Sequence, residues 1–178
     1  DSSNHSASFT RKVRFSDYHA PRFNTSEPLV FTEREGNSTL LKERIIANDI
    51  IDGEISESVI NTSSDINYSV AGTYHSTYEV SNSFGDTSTI ELPVHIIKSE
   101  NNQIDIKLTQ GIIYINTGDT IDAADYIESV TSAQGRTLHR VVKIESNVDN
   151  TTPGVYEIHY SASYSGTNGE TWLTVVVQ

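Results

Sequence analysis

Cysteine is absent from all 178 residues, so no disulfide can brace the fold. Small secreted eukaryotic modules commonly rely on such staples, which argues against a eukaryotic ectodomain. Methionine is missing too, even at position 1, and the chain therefore reads as a fragment or a processed product. No apolar run approaches the ~20 residues of a membrane-spanning helix, and no signal-peptide pattern opens the chain. Direct membrane insertion is not expected. Basic side chains are scarce: 12 Lys and Arg stand against 24 Asp and Glu, a net charge of −12. A field of that sign repels a phosphate backbone, so nucleic acid is an unexpected partner. Catalytic patterning is equally thin. There is no Gly-x-Ser-x-Gly elbow and no zinc-ligand spacing, and His75, His95 and His159 fall at outward strand positions where plain exposure is the ordinary state. No catalytic residue and no cofactor is expected. A single tryptophan, Trp172, leaves little material for an aromatic sugar platform.

What the chain does contain is a repeat. Gly72-Thr73-Tyr74-His75-Ser76-Thr77-Tyr78 returns 82 positions later as Gly154-Val155-Tyr156-Glu157-Ile158-His159-Tyr160. A fainter echo, 81 positions apart, links Ser83–Ile96 to Ser2–Phe15. A period of this size is that of a small domain. It divides the chain into a module over 18–98, a more divergent one over 101–178, and residues 1–17, read as the terminal strand of a preceding repeat over the alternative of an added first strand of the first module. The polar run Lys98–Gln103 is too short for free orientation of the two modules.

Nearly every readable segment alternates with period two. Tyr74, Ser76, Tyr78 and Val80 share one face, as do Ile90, Leu92, Val94 and Ile96, then Tyr156, Ile158, Tyr160 and Ala162. Turn residues separate them at Asn82–Gly85, Thr117–Asp119, Ala133–Gly135 and Gly166–Gly169. The pattern predicts an all-β chain of tandem antiparallel sandwiches. Helical signal is confined to Leu40–Ile46 and to Ile121–Ile127, the latter with Asp119 or Thr120 as cap; either segment suits one turn of helix or an edge strand.

The stretch Ala47-Asn48-Asp49-Ile50-Ile51-Asp52-Gly53-Glu54-Ile55-Ser56 resembles the Ala-x-Asp-x-x-Asp-Gly-acidic-apolar-Ser/Thr stretch of the bacterial Ig-like repeats of surface and secreted proteins. The Gly-x-Tyr-x-x-x-Tyr strand of those repeats matches Gly72, Tyr74 and Tyr78, and again Gly154, Tyr156 and Tyr160. In the second module the segment Ser129–Leu138 lacks the acidic Asp-Gly-acidic character. The resemblance implies an extracellular place, on the bacterial cell surface or secreted, and further Ig-like repeats in the same chain. It implies a non-enzymatic stalk, spacer or adhesin module, with a host or cell-surface protein or glycan as partner. The alternative is a carbohydrate- or ligand-binding accessory module of a secreted enzyme.

Three sets of residues are singled out. Tyr74 and Tyr156, two residues after Gly72 and Gly154, suit tyrosine corners, and Tyr78 and Tyr160 share their face and belong in the core. Asp49, Asp52 and Glu54 are the best calcium candidates, although calcium wants six or more oxygens and the other reading is a solvated turn bent at Asp52-Gly53. Trp172 with Tyr164 is the candidate ligand-binding pair: an indole exposed beside Tyr164 favours a sugar-stacking surface, and a buried one argues against it.

Overall fold

A computed structural model describes residues 8–11, 18–100 and 102–178. The expected strand over 1–17 lies largely outside the described residues; residues 8–11 belong to no strand, and Phe9 is exposed.

The first half builds β1 (Arg22–Thr25), β2 (Val30–Thr32), α1 (Ser38–Arg44), β3 (Ile45–Asp49), β4 (Gly53–Glu54), β5 (Ile60–Ser64), β6 (Gly72–Ser81) and β7 (Thr87–Ile97). The second builds β8 (Ile104–Leu108), β9 (Ile112–Ile115), β10 (Ile127–Ser132), β11 (Val142–Ser146), β12 (Gly154–Tyr164) and β13 (Thr167–Val177). Arg22, Val30, Ile45, Ile60 and Gly72 open strands whose counterparts open at Ile104, Ile112, Ile127, Val142 and Gly154, 82 residues later in every case. Sheet order repeats as well. Order β2-β7-β6-β5 faces β1-β3-β4, and order β11-β12-β13-β9 faces the pair β10-β8. Pairing is antiparallel except where β2 runs parallel to β7, and β9 to β13. The arrangement is sandwich-like and all-β apart from α1 and short 3-10 turns.

Period two explains both cores. Tyr78, Val80, Ile90, Leu92, Val94 and Ile96 turn inward with Phe23, Phe31, Leu41 and Ala47. Ile158, Tyr160, Ala162, Leu173 and Val175 do so with Ile104, Ile106 and Val130. Each fully buried aliphatic side chain contributes about 1.5–3 kcal/mol, so these inner faces carry most of the stability. Tyr74 donates its hydroxyl to the Val70 carbonyl, and Tyr156 to that of Thr152, both at 3.0 Å. These are matching corners at the entrances of β6 and β12, with Gly72 and Gly154 leaving room beside the rings. Tyr160 is fully buried, and its hydroxyl donates to the Ala123 carbonyl at 2.7 Å. Burial pushes its pKa up.

Three local expectations change. Residues Ser38–Arg44 form a helix capped by the Asn37 side chain, which accepts from the N–H of Thr39 and Leu40. Its counterpart is a 3-10 turn at Ala123–Tyr126 capped by Asp122, not by Asp119 or Thr120. The last hairpin turns at Ser165-Gly166, so Thr167–Gly169 already belong to β13. With φ positive at both residues, this two-residue turn matches the twist of the flanking strands.

Gly169 lies where β13 crosses β8. A Cβ there would stand 2.0 Å from the carbonyl oxygen of Ile104, which is backbone and cannot swing aside. Gly169→Ala is expected to lose about 1–3 kcal/mol, as overpacking does. Thermal melting checks this, and an unchanged midpoint would show that the two strands separate without strain.

Candidate functional site at the joint between the two halves

The two cores meet. Strand β9 reads Ile-Ile-Tyr-Ile and has no wet face: Ile112 and Tyr114 pack into the first core, Ile113 and Ile115 into the second. The Tyr114 hydroxyl accepts from the Phe23 N–H at 3.0 Å and donates to the Phe23 carbonyl at 2.9 Å. Both bonds cross from the second half to the backbone of Phe23, which is 2% exposed. Arg22 lies over the Tyr114 ring, 4.9 Å from its centroid, and donates to the Gln178 side chain at 2.6 Å. Gly111 permits this approach, because a Cβ there would stand 2.0 Å from Thr25 Oγ1.

Trp172 fills the other side of the joint. Its indole lies between two imidazoles, His95 of the first half at 3.9 Å and 6°, and His159 of its own half at 4.3 Å and 16°. His95 Nε2 is 2.6 Å from Glu157 Oε1. A carboxylate only accepts, so Nε2 carries the proton, while Nδ1 faces Thr73 Oγ1 at 3.2 Å. His159 Nε2 stands 3.2 Å from Glu170 Oε2. Across the joint, His95 is thus paired with Glu157 and stacked on Trp172. A cleft of about 700 Å³ runs beside the stack, lined by Thr73, His95, Lys98, Asn102, Ser161 and Trp172 among others.

This geometry corrects two expectations. His95 is buried rather than simply exposed, because Trp172 covers it. Trp172 is no sugar platform with Tyr164, since imidazoles cover both indole faces. Trp172 pairs with His159 and Tyr164 with Thr167, five rungs apart, or ~17 Å at the rise of a strand. Tyr114 was not singled out in the sequence, and His95 was read only as an exposed histidine. The available signal was a strand with no polar alternation, Ile112–Ile115, beside an outward face of Trp172, Thr174 and Val176.

The acidic trio also does other work. Asp49 is buried, and its Oδ1 accepts from the N–H of Ile51 and Asp52 at 2.8 and 3.0 Å. Its Oδ2 accepts from the Asn82 amide at 3.2 Å. Asp52 clamps the next loop, accepting from Ser83 N–H at 2.6 Å and Ser83 Oγ at 2.8 Å. Glu54 accepts from Ser56 Oγ at 3.1 Å. Among the described residues no three His, Asp or Glu side chains converge as a metal site requires. Burial works to raise the Asp49 pKa, but the donors at Ile51, Asp52 and Asn82 outweigh it and hold the group below its ordinary value.

Tyr114→Phe removes the one partner of a buried N–H and C=O, so a loss of about 1–3 kcal/mol is expected in urea unfolding, with an unchanged slope. An unchanged midpoint would mean that water takes the place of the hydroxyl. A lowered carboxyl pKa contributes stability that is whole above the ordinary value of about 3.9 and lost as pH falls through the lowered one. Asp49→Asn should therefore weaken the fold at neutral pH and flatten the acid limb below about pH 4. Superimposable acid limbs would exonerate Asp49.

The family model of the bacterial Ig-like domain (group 3) matches residues 114–175. An uncharacterized 81.3 kDa protein of Acholeplasma phage L2 is 31% identical over 139 residues, covering 75% of this chain and 18% of that protein. Pesticidal crystal protein Cry22Aa of Bacillus thuringiensis is 32% identical over 126 residues, covering 67% and 16%. The chain thus spans less than a fifth of the curated relatives it matches. Among solved structures, CBM51-2 in complex with GlcNAc and the INT domains of Clostridium perfringens ZmpB aligns with TM-score 0.41 at 13% identity, over 89% of this chain and 42% of that one. The lipoprotein BT2262 of Bacteroides thetaiotaomicron aligns with TM-score 0.33 at 12% identity, over 86% and 98%. The match over residues 114–175 supports a bacterial Ig-like repeat domain in that part of the chain.

Proposed function

We propose that the chain is a non-enzymatic extracellular segment of a bacterial surface or secreted protein, in which modules 18–98 and 101–178 act together as one rigid spacer. The observation that carries this reading is the joint. Ile112 and Tyr114 of the second half complete the core of the first, and Trp172 is stacked against His95. A flexible tether would leave the Ile112 and Tyr114 face of β9 without cover, and burying Ile112 alone is worth about 1.5–3 kcal/mol. The surface suits the role: a net charge of −12 and many Ser, Thr and Asn side chains keep such a segment soluble at high local density. The small share of each curated relative that is matched is also what a segment of a longer chain would show.

The absence of native cysteine makes the test direct. Spin labels at Glu57→Cys and Gln134→Cys, both exposed, report the distance between the halves by pulsed electron resonance. One narrow distribution is expected, broadened by Trp172→Ala. A broad distribution before that substitution would sink the rigid-spacer reading.

A further inference from the structure

The two halves differ most sharply in charge at one corresponding loop. Ile55 donates its N–H to the Ala47 carbonyl, and Leu138 donates to that of Val130, both at 2.8 Å, so these residues hold the same place behind β3 and β10. On that register Asp49–Glu57 corresponds to Ser132–Arg140. The first loop holds Asp49, Asp52, Glu54 and Glu57 with no base; the second holds Arg136, His139 and Arg140 with no acid. Arg140 stands where the first half has Glu57.

The basic loop is shaped. A cavity of about 330 Å³ is lined by Arg136, His139 and Arg140 with Tyr164, Val141 and Thr137, and no carboxylate lines it. The Arg136 guanidinium lies over the Tyr164 ring, 5.0 Å from its centroid, and one of its nitrogens donates to the Tyr164 hydroxyl. It is thereby held in place while its other donors stay free to bind. None of the three basic side chains joins an ion pair among the described residues.

We propose that this cavity binds a sugar residue carrying an anionic group, the terminal acidic unit of a glycan. A guanidinium fork matches a carboxylate, sulfate or phosphate ester in two-point geometry. The C–H face of a pyranose can lie on Val141 and the apolar wall, and its hydroxyls have Thr137 and His139 within the same lining. The volume is at the lower end of the range of small-molecule sites, which suits one ring rather than a long chain. The overall charge of −12 opposes an anion only weakly here. Screening over about 8 Å at physiological salt leaves the local groups to decide. This inference adds a binding role to the second module and does not depend on the spacer reading.

The test is a nitrogen-15 chemical-shift titration of the full chain with D-glucuronate, glucosamine 6-sulfate and glucose 6-phosphate, against D-glucose and inorganic phosphate as controls. Saturable shifts of the Arg136, His139 and Arg140 amides by at least one anionic sugar are expected, and the arm that binds identifies the acid. Glucose should leave those amides in place. Arg140→Gln should weaken binding at least tenfold and Arg140→Glu, the charge of the first half, should abolish it, with unchanged melting because the side chain is exposed and joins no ion pair among the described residues. Absence of binding in all three arms, equal binding of glucose or of inorganic phosphate, or indifference to both Arg140 variants would overturn the proposal. None of these outcomes touches the joint, so the spacer reading would stand or fall separately.

Discussion

A β-strand buried on both faces must have cover on both, and β9 is such a strand. Residues Ile112–Ile115 alternate between two cores, so the second half cannot complete its own sheet without presenting Ile112 and Tyr114 to the first. Everything at the joint follows from that demand. Gly111 removes the side chain that would hold the halves apart, and Tyr114 returns two hydrogen bonds to the backbone of Phe23. Trp172 seals the other side between His95 and His159. Burial favours the contact, and it outweighs the cost of Arg22 Nε and Thr25 Oγ1, which lie buried there without a partner among the described residues.

Set rung by rung, the repeat and the joint obey different rules. Strand openings, corner tyrosines and sheet order recur, because any sandwich of this kind needs them. The joint residues do not recur. Trp172 faces His159 across the hairpin, whereas the matching rung of the first half pairs Glu91 with Thr77. Glu157, which holds His95, corresponds to His75, which is exposed. The loop after β3 or β10 is the second place of divergence, acidic in one half and basic in the other. Scaffold positions answer to folding; the divergent ones answer to what each half must touch.

Legibility followed the range of the interaction. Alternation in β6, β7, β12 and β13 identified their inner faces, since period two is a property of the strand itself. The corners at Tyr74 and Tyr156 were visible as a glycine two residues before a tyrosine, a local geometry. Asp49, Asp52 and Glu54 were visible as a carboxylate cluster, but their partners were not. Ser83 and Asn82 lie about thirty residues away in sequence and take up the oxygens a metal would have needed. His95 misled for the same reason: its outward position on β7 was correct, and only the arrival of Trp172 from the other half made outward mean buried.

By itself the amino-acid sequence determined the all-β class, the 82-residue repeat, which strand faces point inward and the exclusion of disulfides. Each depends on residue type and short-range spacing, which the chain carries in full. Tertiary structure alone decided that the halves share a joint, that the lone indole is spent on it, and that Tyr164 meets Arg136 at one cavity. Those outcomes hang on pairs of residues brought together from distant segments. Such pairs are chosen by the fit of whole sheet faces, and no window of the sequence contains both members.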